Sequence, residues 1–146
     1  MSPVVSEFFA YRTELQELHQ QLKMNCRKIK EIIIQENPDL GQFEPLLLQL
    51  RSLVLRQAED GDNGGCLDEA VSRLPALGKE ADRLRLEYQQ IVVSLDKMLL
   101  MLCSDHSTIA LAGELGKEFD DNKKRLADLE LVELGILEKG FNFYLD

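Results

Sequence analysis

Apolar residues recur three and four positions apart along almost the whole chain. Strand-like alternation is absent, so the pattern predicts an all-α protein. The first stripe runs Phe8, Tyr11, Leu15, Leu18, Leu22, Asn25, Ile29, Ile32 and predicts a helix over about 4–35. Asn37 and Pro38 end it, because proline disfavours helical geometry in the residue before it. A short second helix is expected over 45–58. Pro45 suits its first helical position, and leucines on several faces require burial on several sides.

The third stripe is the most regular: Leu67, Ala70, Leu74, Leu77, Ala81, Leu84, Tyr88, Ile91, Leu95, Met98, Leu102. It predicts a helix over 67–103, kinked near Pro75. A fourth follows over 108–139 on Ile109, Ala112, Leu115, Phe119, Asn122, Leu126, Leu129 and Ile136, with Gly140 as its stop. About four long heptad-patterned helices in one domain, 1–146, are therefore expected, as an elongated coiled coil or a helical bundle. Apolar faces widen at Ile29–Ile34, Ile91–Cys103 and Leu126–Leu137. Wide faces need two or more neighbours, and the narrow stripe from Leu74 to Tyr88 suits a two-helix arm. Helices three and four should form an antiparallel hairpin about Ser104–Ser107.

The connector "AEDGDNGGCLDEA", residues 58–70, tests for a calcium loop. With Asp60 as position 1, Asp62, Gly65 and Leu67 fit positions 3, 6 and 8. Position 12, which must supply a bidentate carboxylate, is Val71. Residues 59–66 are therefore expected to be a flexible, metal-free loop.

Composition narrows the function classes. Of 146 residues, 45% are hydrophobic and 29% charged, which suits a folded helical protein rather than a disordered one. A net charge of −9 opposes nucleic-acid binding. The basic runs Arg27-Lys28-Ile29-Lys30 and Lys123-Lys124-Arg125 are short and read as solvated faces. Cys26, Cys66 and Cys103 form no C-x-x-C and, with only His19 and His106 beside them, no zinc spacing. No cofactor or metal is expected. The start, MSPVVSEFF, lacks the features of a signal peptide, and no apolar run is long enough to span a bilayer. An intracellular, reducing location, cytoplasmic or nuclear, is the expectation.

No catalytic motif stands out. Asp120-Asp121 and Asp128, Glu130 and Glu133 read as solvated acidic faces, and His19 as a surface position flanking the seam. Asn25 and Asn122 fall on seam positions, where a lone Asn can set register or partner number. The chain then finishes on Phe141, Asn142, Phe143, Tyr144, Leu145 and Asp146. Residues 132–146, VELGILEKGFNFYLD, locally resemble an LxxGxxFY pattern in helical arms of endosomal-sorting adaptors and autophagy scaffolds. The resemblance covers about a tenth of the chain and assigns no family.

The function expected is a non-catalytic interaction or scaffold subunit of a multi-protein assembly. Spindle or kinetochore, cytoskeletal and membrane-trafficking complexes share this style. Protein partners, or a second copy, would pair through helical seams. Phe8, Tyr11, Phe141, Phe143, Tyr144 and Leu145 are the candidate partner-binding residues, and Asn25 and Asn122 the register-setting ones. The alternative is a self-contained four-helix bundle that binds a peptide or a small apolar ligand.

Overall fold

The computed structural model describes residues 3–35, 40–60, 66–103 and 108–141; side chains at 3–8, 40, 59–60, 66 and 108–110 fall outside that description. The described residues are all-helical. Five α-helices form where the pattern predicts about four: α1 Pro3–Ile33, α2 Phe43–Asp60, α3 Cys66–Arg73, α4 Gly78–Leu102 and α5 Thr108–Phe141.

The extra break lies at Pro75. A proline has no N–H to donate, and its ring excludes helical backbone from the residue before it. Leu74 accordingly takes an extended conformation, φ −137° and ψ 88°. A single 3-10 turn, Pro75–Leu77, then redirects the chain into α4. The expected kink is thus a corner, and Leu74 is exposed on it. Pro45 sits two residues inside α2, in the first turn, where backbone N–H groups have no intrahelical partner.

Side-chain pairs fix the packing. Asn25 meets Gln49 of α2, Lys30 meets Asp120 of α5, Arg51 of α2 meets Asp96 of α4, and Asn122 of α5 meets Ser94 of α4. Further pairs, His19 with Gln57 and Glu80 with Lys139, set the directions. Neighbouring helices alternate in direction around a ring α1–α2–α4–α5, and α5 closes it against α1. The α4–α5 pair is antiparallel; the turn between them, 104–107, lies outside the described residues.

The stripes read from the sequence point into this ring. Leu22, Ile29, Leu50, Val54, Ile91, Leu95, Leu115 and Phe119 are all buried in one core. Leu77, Leu84 and Tyr88 join the same core rather than forming a two-helix arm. The reason is α3, which folds back over that end and packs on the last turns of α5. Gly140 is buried there within α5, where the helix continues to Phe141 instead of stopping. A Cβ at Gly140 would lie 2.6 Å from Ala70 Cα, so the glycine allows α3 its close approach.

A second, smaller cluster holds Leu15, Leu137 and Phe141, with Tyr11 and Leu134 against it. No described helix is long and apolar enough to cross a membrane.

Candidate functional site

Four helices each place one polar side chain in the middle of the apolar core. His19 comes from α1, Gln57 from α2, Tyr88 from α4 and Glu133 from α5, and all four are buried. The Gln57 amide nitrogen donates to both oxygens of Glu133, at 3.2 and 3.1 Å. It also donates to His19 Nε2. Tyr88 donates its hydroxyl proton to Glu133 at 3.4 Å. The far side of the imidazole, Nδ1, lies 3.2 Å from the half-buried Glu130. His19 is therefore a neutral imidazole with its proton on Nδ1, donating to Glu130 and accepting from Gln57. Burial pushes its pKa down, the Glu130 charge pulls against that, and Lys23 adds to the lowering. Gln57 Oε1 is buried with no hydrogen-bond partner among the described residues.

Two expectations are corrected by this layer. His19 is 5% exposed, and the layer holds it from inside. Glu133 is 2% exposed and belongs to no solvated acidic face. The sequence carried a signal for it. Leu126, Leu129, Glu133 and Ile136 step by three and four, so Glu133 occupies a seam position. Gln57 does the same after Leu47, Leu50 and Val54.

Glu130 and His19 also line one end of an open groove between α1 and α5, about 390 Å³ in volume. Leu22, Cys26, Leu126 and Ala127 form its apolar floor. Ile34, 69% exposed, extends the apolar surface at the opposite end. Lys23, Arg27, Lys30 and the acid Glu31 stand along the α1 edge, and Lys123 stands across from them on α5. Asp120 holds Lys30 at 3.0 and 3.1 Å, and Glu130 lies 3.8 Å from Lys23. Burial raises the Cys26 thiol to about 11, against the opposing pull of Lys123, so the floor is a neutral thiol near pH 7. Two basic runs that read as solvated faces are thus brought together as opposite banks of one groove.

The remaining candidate residues are dispersed. Asn25 is buried and donates to Leu46 O at 3.3 Å and Gln49 Oε1 at 3.0 Å, both on α2. Asn122 is buried and donates to Ser94 Oγ at 2.9 Å, with Met98 Sδ at 3.8 Å, both on α4. Each therefore ties its helix to a different neighbour. Tyr11 and Phe141 meet each other, with ring centroids 5.9 Å apart. The Phe8 side chain and Phe143, Tyr144 and Leu145 lie outside the described residues. So does most of the connector, 61–65, while Val71, twelfth from Asp60, is on α3. Among the described residues, no group of three or more His, Cys, Asp or Glu side chains is placed to hold a metal ion.

No family model matches the chain, and no curated protein or solved structure matches it either.

Proposed function

We propose that the chain is a non-catalytic interaction subunit that receives a segment of another protein in the α1–α5 groove. The supporting observation is the groove itself, an apolar floor open to solvent on whose banks four cations, Lys23, Arg27, Lys30 and Lys123, outnumber two acids, Glu31 and Glu130, on a chain of net charge −9. The helical seams first considered for partners bury one another within the bundle. A partner using those seams would have to displace the core, whereas the groove takes one at no such cost. Helix-in-groove recognition needs an apolar trough wide enough for one amphipathic face, and this trough has that form. Gln57, Tyr88 and Glu133 of the polar layer are buried beneath it, and burial holds Cys26 as a neutral thiol, so neither offers a ready nucleophile. Free Cys26 and Cys103 suit the reducing, intracellular setting that belongs to this proposal.

Ala127 is exposed on the groove, so Ala127→Trp fills it without touching the core. Partners captured by the native chain and identified by mass spectrometry should be lost to this variant at unchanged helicity. A partner set indifferent to the filled groove would overturn the proposal.

A further inference from the structure

We propose that the occupant is an acidic amphipathic helix of about four turns. This rests on the reading of the α1–α5 groove as the docking face and assigns that face its partner chemistry.

Length comes first. The α1 bank runs from His19 to Ile34, which at 1.5 Å per residue is about 22 Å. That matches a helix of roughly fifteen residues.

Charge comes second. Lys23, Arg27 and Lys30 are spaced four and three apart, so they share one edge of α1 over about 10 Å. Asp120 and Glu130 already answer Lys30 and Lys23, which leaves Arg27 and Lys123 on opposite banks, and a helix with Asp or Glu along both flanks sets a carboxylate near each. A single carboxylate on a lipid chain would answer one of the two. A phosphate backbone would answer the cations and leave Leu22, Cys26 and Leu126 uncovered. An acidic helix answers both the cations and the floor.

The chain's own net charge does not defeat this attraction. At physiological ionic strength charges farther than about 8 Å are largely screened, so the banks outweigh distant acids. The same acids repel an acidic helix from the rest of the surface, which confines it to the groove. The other large hollow, between α4 and α5, lacks this selectivity. Both of its cations, Arg83 and Lys139, are paired, with Glu87 and Glu80 at 3.6 and 3.8 Å, whereas in the groove Arg27 and Lys123 stand outside the Lys30–Asp120 and Lys23–Glu130 pairs.

A second copy is a poor occupant. The acidic α5 segment Asp128–Glu138 holds Leu129, Ile136 and Leu137 inside the bundle and leaves Leu131 and Val132 exposed, two adjacent positions that make no long apolar face.

The test uses the full chain and two labelled synthetic helices with the same leucine face, one flanked by Glu and one by Lys. Fluorescence anisotropy should show the Glu helix binding at least about tenfold tighter, with the advantage shrinking in high salt. Arg27→Glu with Lys123→Glu should reverse the preference, and Ala127→Trp should abolish binding. All three positions are exposed, and a thermal melt checks that each variant folds. Equal binding of both helices, unaffected by the charge reversal, would overturn the acidic partner and leave the docking groove standing. Binding of neither helix, with no oleate binding and no self-association, or binding that survives Ala127→Trp, would overturn the groove as well. Oleate binding with neither helix bound, or self-association blocked by Ala127→Trp, would replace the acidic helix with a lipid or a second copy.

Discussion

Glu133 of α5 and Gln57 of α2 meet at the centre of the bundle, the amide nitrogen 3.1 and 3.2 Å from the two carboxylate oxygens. Neither side chain reaches solvent. With His19 and Tyr88 they form a polar layer to which every helix of the ring contributes. Such a layer costs desolvation and is satisfied in only one alignment of the four helices. Its effect is on register: a helix slipped by one turn would bury the carboxylate against leucines.

Replacing Gln57 by Leu should therefore cost about 3 kcal/mol, because it strips donors from a buried acid and from His19 Nε2 at once. Replacing Glu133 by Leu as well should recover part of that loss, since the acid needing a donor is then gone. Urea unfolding of the single and double variants measures both. A Gln57→Leu chain as stable as the native one would mean the layer holds nothing.

His19 makes the same layer sensitive to pH. Its folded pKa lies below its ordinary value of 6.5. Below that pH the unfolded chain takes up a proton that the folded imidazole resists. The stabilising contribution is thus present above pH 6.5 and lost as pH falls from there toward the folded value. The melting temperature should drop over that window, and His19→Gln should flatten the drop. An identical pH profile in the variant would remove His19 as the cause.

The sequence made the helices legible because Ala112, Leu115, Phe119 and Leu126 can share a face only at 3.6 residues per turn. It could not show how many neighbours each face meets. The stripe through Leu84 and Tyr88 has the same period whether one helix or three surround it. Closure depends on α3 turning back at Leu74, a tertiary contact with no local signature beyond Pro75. His19 was misplaced for the same reason. It lies next to Leu18 at the margin of the stripe, and periodicity is silent on whether a margin is covered. Glu133 and Gln57 were legible in principle, since each stands where the stripe reserves an apolar residue. The groove was not, because its banks, Arg27 and Lys123, are joined only by the fold.

Two glycines of α5 should respond in opposite directions to alanine. At Gly140 a Cβ would lie 2.5 Å from Ala70 Cβ, 2.6 Å from its Cα and 3.0 Å from its carbonyl oxygen. Backbone cannot give way as a side chain does, so Gly140→Ala should force α3 outward at about 1–3 kcal/mol. At Gly135 nothing lies within 4 Å of the new methyl. Gly135→Ala should stabilise by roughly 0.5–1 kcal/mol through the helix preference alone. Thermal melts of the two variants shifting the same way would contradict the α3–α5 contact.

Phe141 separates a structural end of α5 from a binding one. Its ring is buried against Leu15 and Leu137 and tilted 55° to Tyr11. The Arg73 guanidinium carbon lies 4.6 Å from its centroid, so α3 is fastened to the same side chain. Three helices therefore converge on one ring at the end of the bundle that α3 covers. Removing a buried phenyl group costs about 3–5 kcal/mol in a rigid core, and a site near a helix end relaxes toward the lower figure. Phe141→Ala should accordingly lose about 3 kcal/mol. Arg73→Ala, which removes the cation from the ring face and its ion pair with Glu69 at 3.0 Å, should lose about 0.5–1 kcal/mol. Guanidinium unfolding of the two variants gives the order directly. If Phe141→Ala melts with the native chain, the ring is not part of the core, and its value would have to lie in contact with another molecule.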